Sequence, residues 1–361
     1  MPNLDQSFLE DLLSRIDIIE VIGDRVTLKK SGNDYKGLCP FHNEKTPSFI
    51  VSNLKQYYHC FGCGAHGNAI NFLKEHDGLH FIEAVEKLAQ LANIELPKNK
   101  NTQFDNYKNL LEVNNIAKEL FKKNLEAHAE AKKYLSTRGI ENNQINLFEI
   151  GFAKDSWDNL KNTLKNKKIE NNALEVGLLN KKNQRVFDIF KNRIMFPIKN
   201  SLGNTIAFGG RTLSKSDQAK YINSPESKLF NKSYEMYGLF ESKKYINKLG
   251  YVIVVEGYTD VIALHKNKFE NSVATLGTAF TKHHLKKLHR YTKNIIFCFD
   301  GDIAGKNAAW KALVNCLTEI RDDSNIKFCF LPDGHDPDDI SNKKNSEFKD
   351  FLKSSQPLSE F

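Results

Sequence analysis

Apolar residues recur at helical spacing over residues 6–22 (QSFLEDLLSRIDIIEVI), so the chain opens with an amphipathic helix. After Gly23 the pattern breaks into short strand-like pieces, RVTLKK, YKGLC, SFIVS and QYYHCF. Two amphipathic helices follow, over 67–76 and 81–92. A proline followed by polar residues (PKNKNTQFDN, 97–106) predicts a linker. Residues 107–135 read as one or two helices, and the region through 248 mixes helices with one hairpin. That hairpin joins RIMFPIKN to NTIAFGGR through a Ser-Leu-Gly turn. From residue 251 strands and helices alternate: VIVVE then DVIALHKN, SVATL then KHHLKKLHRY, NIIFCFD then GKNAAWKALVNCL, and KFCFL last. Continuous β-rich apolar runs between helices predict a mostly parallel sheet covered by helices. The expected class is a multidomain mixture of α+β and α/β. Its parts are a small β-rich unit (1–96), a linker (97–106), a mixed region (107–248) and a parallel-sheet domain (249–361).

The chain has 361 residues, 40% hydrophobic and 27% charged, which suits a globular protein with a sizeable core. No apolar stretch approaches the roughly 18 residues of a membrane span, and no basic leader precedes an apolar segment, so neither a membrane nor a secretory signal is expected. Cys39, Cys60 and Cys63 lie in a Gly-rich polar stretch, whereas Cys298, Cys316 and Cys329 lie in apolar runs. This usage fits one metal site in a reducing compartment, the cytoplasm, better than a disulfide framework. The net charge of +8 arises entirely in residues 1–250, because residues 251–361 hold 15 basic and 15 acidic side chains. A basic front half beside an acidic site suits a polyanion held at a metal centre, although a general Lys/Asn bias accounts for the charge equally well.

Cys39-Pro-Phe-His42 and Cys60-Phe-Gly-Cys63 are two ligand pairs of spacing two, separated by a short β excursion. They compose a closed Cys3His zinc site, structural rather than catalytic. His59 and His66 fit less well, His59 because it adjoins Cys60. A unit this small gains folding free energy from the metal, about 10–16 kcal/mol in comparable peptides. Lys45, Lys55, Tyr57, Tyr58, Phe61 and His66 surround the site. Either they grip a single strand by charge and stacking, or the aromatics fill the core of the ribbon.

Three acidic clusters follow apolar runs in the last third: Glu256 and Asp260 in EGYTD, Asp300 and Asp302 in FDGD, and Asp333, Asp336, Asp338 and Asp339 in LPDGHDPDD. Strand ends in open α/β sheets are where ligands bind, and clustered carboxylates there call for divalent cations. The pattern predicts a magnesium site and phosphate chemistry. Asp260 either caps the helix that follows or orients a ligand, and Asp333 and Asp339 fit either role.

The Cys39/His42/Cys60/Cys63 set followed by EGYTD, FDGD and LPDGHDPDD resembles the bacterial-type DNA primases. RIMFPI (193–198), FGGR (208–211), KYINSPES (220–227), YGL (237–239) and LGTAFT (276–281) are similar to motifs of that family's polymerase domain. The resemblance implies an N-terminal zinc ribbon over 1–96, then a mixed α/β RNA-polymerase core whose last part, 249–361, is a TOPRIM subdomain. It implies template-directed synthesis of short RNA primers by nucleotidyl transfer, with structural zinc and catalytic magnesium or manganese. By the same resemblance Glu256, Asp300 and Asp302 bind the catalytic metal, and Asp336 and Asp338 are further active-site carboxylates. Arg138, Arg211, Lys220 and Lys232 hold template or nucleotide, with Gly209 and Gly210 letting a phosphate approach Arg211. Single-stranded DNA and ribonucleoside triphosphates are the implied partners, at the replication fork. Family members continue beyond the acidic loops into a helicase-binding domain, which the residues up to Phe361 do not include. Other classes are disfavoured. No tyrosine motif marks a topoisomerase, and no phosphate loop ending in Gly-Lys-Ser/Thr marks a fused helicase. A metal-dependent nuclease or a non-enzymatic DNA-binding scaffold is a further reading.

Overall fold

The computed structural model describes residues 6–94, 96, 103–164, 167–214, 217, 219–320, 324–332, 334–337, 339–340 and 345–360. They fall into two compact units, one ending at Tyr107 and the other beginning at Lys108.

In the first unit, helices α1 (Gln6–Arg15) and α2 (Ile18–Gly23) precede a five-stranded antiparallel sheet. Asp17 caps α2 by accepting the Ile19 N–H at 2.8 Å. Strands β1 (Lys29–Ser31), β2 (Asp34–Gly37), β3 (Phe49–Ser52), β4 (Tyr57–Cys60) and β5 (His66–Gly67) pair in chain order. A single turn of helix α3 (Ala69–Phe72) widens into a π turn at 73–77, and α4 (Phe81–Leu91) follows. The core is small and aromatic: Phe49, Tyr58 and Phe72 are fully buried, with ring centroids 5.3 Å (Phe49–Tyr58) and 5.6 Å (Tyr58–Phe72) apart. Tyr58 is therefore a core residue, whereas Phe61 is 71% exposed. Asp77 ties the unit together, accepting from both arms of Arg25 (2.8 and 2.9 Å) and from Lys87 (2.9 Å).

Helix α5 (Gln103–Glu126) takes up the last residues of the segment expected as linker and from Lys108 onward belongs to the second unit. Helices α6 (Ala129–Thr137) and α7 (Asn142–Leu147) follow, then β6 (Gly151–Ala153), α8 (Asn159–Thr163), α9 (Lys167–Glu175) and the hairpin β7 (Leu179–Lys182) and β8 (Arg185–Asp188). The expected long hairpin is β9 (Arg193–Lys199) and β10 (Thr205–Thr212), in register from Arg193↔Thr212 to Ile198↔Ala207, with a one-residue shift before Lys199↔Thr205. With β11 (Tyr221–Asn223) and β6 it forms a four-stranded sheet ordered β11-β10-β9-β6. Helix α10 (Leu239–Leu249) leads into β12 (Tyr251–Val255), α11 (Tyr258–Lys266), β13 (Ser272–Ala274), α12 (Lys282–Leu288), β14 (Asn294–Phe299), α13 (Ile303–Cys316) and β15 (Asn325–Phe330).

The second sheet of this unit runs β13-β12-β14-β15 with every pair parallel, and the short β16 (Gln356–Pro357) closes it as an antiparallel edge. Val252, Val254, Ile295, Phe297 and Phe328 bury one face. This is the mostly parallel sheet predicted by the continuous apolar runs. Strand order places the ends of β12, β14 and β15 side by side, and each ends in one of the acidic loops. Lys199, 8% exposed, lies between Glu241 and Glu149 at 2.9 Å from each and ties α10 to the four-stranded sheet.

Candidate active site and zinc centre

In the first unit, β4 and the loops at 38–48 and 61–65 bring Cys39, His42, Cys60 and Cys63 together. One ligand atom from each lies within 4.8 Å of all the others. Cys39 Sγ and Cys63 Sγ are 3.8 Å apart, and Cys60 Sγ is 3.6 Å from His42 Nδ1. Backbone N–H groups approach the sulfurs, Phe41 to Cys39 at 3.3 Å and Cys63 to Cys60 at 3.5 Å, which favours thiolates. Three thiolates and one imidazole at these separations fit a tetrahedral zinc ion held in a closed, structural site. Sequence reasoning missed Glu44. Its carboxylate sits 3.4 Å from His42 Nε2 and accepts the backbone N–H groups of Cys39 and Ser48, each at 2.8 Å. It leaves Nδ1 as the ligating nitrogen and fixes the imidazole plane. Its position two residues after His42 was the available signal.

In the second unit, Glu256 follows β12, Asp300 and Asp302 follow β14, and Asp336 follows β15. The loops after β14 and β15 are locked together. A side chain at Gly301 would collide with the Leu331 carbonyl oxygen and come within 2.5 Å of that of Pro332. Asp300 is pushed up to about 6, first by burial and then by the charges of Glu256, Asp336, Asp302 and Asp339. Glu256 is raised by burial and then by Asp302, against an opposing hydrogen bond from the Asp300 backbone N–H. Five carboxylates thus share one field at the carboxyl edge of the sheet. Asp338 and Asp333 lie outside the described residues.

Asp302 does double duty, because its Oδ1 also caps α13 through the Gly305 N–H at 2.8 Å. Asp260 is a cap: its Oδ2 accepts the Gly257 N–H at 2.9 Å in a capping box. Asp336 Oδ1 accepts the Asp339 N–H at 2.7 Å. Among the described residues only the Cys/His group already has metal-ligand spacing. The acidic edge, being looser, fits hard cations that take many of their ligands from water and phosphate oxygens.

The basic residues are scattered. Arg138 ends α6 and is exposed, Lys220 precedes β11 and is exposed, and Lys232 is half-buried. Arg211 is buried, its guanidinium carbon 5.0 Å from the Tyr221 ring and 5.5 Å from the Tyr134 ring, with Nη1 donating to the Tyr221 hydroxyl. Gly209 and Gly210 do not open the space beside Arg211 that the sequence suggested. A side chain at Gly209 would meet the Tyr258 ring at 2.6 Å, and one at Gly210 would meet Phe190 at 2.9 Å. Those glycines admit aromatic rings, not a phosphate. Tyr258 itself is buried, stacks on Phe196 at 5.3 Å and donates its hydroxyl hydrogen to Asn223 Oδ1.

Three family models cover most of the chain: a CHC2 zinc finger over 4–104, the N-terminal domain of the DNA primase catalytic core over 120–243, and a Toprim-like domain over 253–341. The DNA primase of Haemophilus influenzae is 42% identical over 370 residues, covering 99% of this chain. The chain spans 62% of the length of that relative. The zinc-binding and RNA-polymerase domains of the Aquifex aeolicus primase match with 34% identity and a TM-score of 0.67, covering 98% of this chain and 86% of that one. A DnaG primase catalytic domain bound to single-stranded DNA matches 71% of this chain and 84% of that one, with 37% identity and a TM-score of 0.66. Motifs, fold and relatives agree from the zinc ligands to the acidic loops, and the chain belongs to the bacterial-type DNA primase family.

Proposed function

We propose that this chain is the zinc-binding and RNA-polymerising part of a DNA primase, synthesising short RNA primers on single-stranded DNA. The observation that carries the reading is the convergence of Glu256, Asp300, Asp302 and Asp336 at one edge of the parallel sheet. Glu256, Asp300 and Asp302 are the metal ligands, with Asp336 and Asp338 supporting them. Those residues would hold magnesium, which would supply charge neutralisation for a triphosphate and its pyrophosphate and Lewis-acid help in ionising a primer 3′-hydroxyl. Manganese offers the same chemistry. Lys232 and Lys220 hold phosphates of the incoming nucleotide or the template, and Arg138 contacts the template. Arg211 acts from beneath, by fixing Tyr221.

In this reading residues 1–96 choose the start site, 107–248 carry template and nucleotide, and 249–361 perform the transfer. The protein works in the cytoplasm, with ribonucleoside triphosphates as substrates; a replicative helicase is the partner expected for the family. Among the described residues no helix is long and apolar enough to cross a membrane. The buried, hydrogen-bonded Tyr258 is unlike an exposed nucleophile, which disfavours a topoisomerase. The test supplies ribonucleotides, single-stranded DNA and magnesium to the chain and to Asp300→Ala. Short RNA from the first and none from the second is expected. Near-normal synthesis by Asp300→Ala would overturn the metal assignment, and degradation of DNA without RNA synthesis would favour a nuclease.

A further inference from the structure

One cluster is not used by this reading. The first turn of α12 grips the segment 231–237, which carries Lys232. His284 is fully buried. Its Nδ1 lies 3.1 Å from the Thr281 N–H and its Nε2 lies 2.9 Å from the Lys232 carbonyl oxygen. An N–H donor at one ring nitrogen and a carbonyl acceptor at the other leave one arrangement: Nδ1 accepts, and Nε2 carries the hydrogen and donates. Burial pushes the imidazole down to about 4, so that it stays neutral and keeps this tautomer. Thr281 Oγ1 donates to the Ser233 carbonyl at 2.7 Å, Lys287 pairs with Glu235 in a buried contact, and Tyr234 stacks on His283 with centroids 4.0 Å apart. Tyr237 then pairs with Ala274, the last residue of β13, through hydrogen bonds of 2.9 and 3.0 Å.

The topology gives this clamp a purpose. Helix α12 follows β13, and β13 lies beside β12 on the side away from β14. The clamped segment is therefore drawn to the carboxyl edge of the sheet, on the flank of Glu256 opposite the aspartates. A triphosphate bridging from cation-bearing carboxylates to a lysine needs both flanks fixed. We propose that His284 is a positioning residue for nucleotide binding, fixing the backbone at Lys232 so that its ammonium meets the triphosphate. The inference rests on Lys232 being a triphosphate cation, as read above.

His284→Asn can keep the contact to Thr281 but cannot reach Lys232, whereas His284→Gln can donate to Lys232. For His284→Asn the KM for ribonucleotides should rise about tenfold with kcat little changed, and His284→Gln should recover most of the loss. In a Lys232→Ala background His284→Asn should add nothing, because the two residues act as one unit. A residue serving only to cap α12 predicts the reverse, full activity in Asn and loss in Gln. If His284→Asn does not fold, Thr281→Val, which frees the Ser233 carbonyl, takes its place with the same expectation. Hydrogen exchange over 231–237 should accelerate in these variants. Unchanged exchange, or unchanged KM in a chain that makes RNA, overturns the inference alone. A wild-type chain that makes no RNA overturns the functional reading and the role given to Lys232 with it.

Discussion

The backbone N–H of Asp300 favours the charged form of the Glu256 carboxylate, while the charge of Glu256 helps to push the Asp300 carboxyl up to about 6. Adjacent parallel strands thus hold two carboxylates close enough to resist joint ionisation. Asp300 in the unfolded chain titrates near 3.8. The folded protein therefore holds the extra proton between these values, and stability falls as pH rises through that window. Above it the repulsion is fully present. Asp300→Asn should raise the thermal midpoint at about pH 7.5 without divalent cation by a few degrees, roughly 2–4 °C, while removing activity. Magnesium should stabilise the wild type at about pH 7.5 and have little effect at about pH 5, where the proton competes for the site. Scanning calorimetry with and without magnesium reads both.

Gly301 is the point of closest backbone approach in the same site. Its neighbours are backbone carbonyls of Leu331 and Pro332, which cannot step aside as a flexible side chain can. Gly301→Ala should cost about 1–3 kcal/mol and displace Asp300 from Asp336. Urea unfolding measures the first effect. RNA synthesis should drop more than the stability loss explains.

At the zinc centre, Cys63→Ser should lower zinc content and weaken start-site use. Glu44→Gln keeps all four ligands but loses the charge facing His42 Nε2. Zinc affinity should fall about 10–100-fold, read by competition with a chromogenic chelator. Unchanged affinity would remove Glu44 from the site.

Lys199 neutralises Glu149 and Glu241 in a nearly closed setting. Lys199→Ala leaves Glu241 without its cation, whereas Glu149 keeps Lys118 at 2.8 Å, and should destabilise the second unit by about 3 kcal/mol, measured by urea unfolding. Lys199→Met in combination with Glu149→Gln and Glu241→Gln should recover much of that loss.

Local features of this protein were legible in its sequence because their signals are local. The spacing of Cys39, His42, Cys60 and Cys63, the long hairpin around Gly203, and the strand ends at Glu256 and Asp300 each depend on a few neighbouring residues. What escaped depends on partners distant along the chain. Glu44 is recognisable only once the loop folds back on His42. Gly209 invites a phosphate argument until Tyr258, nearly fifty residues on, fills the space beside it. Arg211 reads as a cation open to a phosphate, yet its guanidinium lies buried beside the Tyr134 and Tyr221 rings. His284 looks like one more histidine of a basic helix until its ring meets the carbonyl of Lys232.

The central claim is that separate loops unite their carboxylates to hold divalent cations. Anomalous scattering from a crystal soaked in manganese tests it most directly. The account predicts an anomalous peak bounded by Glu256, Asp300 and Asp302, abolished in Glu256→Gln combined with Asp300→Asn. Manganese bound elsewhere, with none between these three side chains, would contradict it.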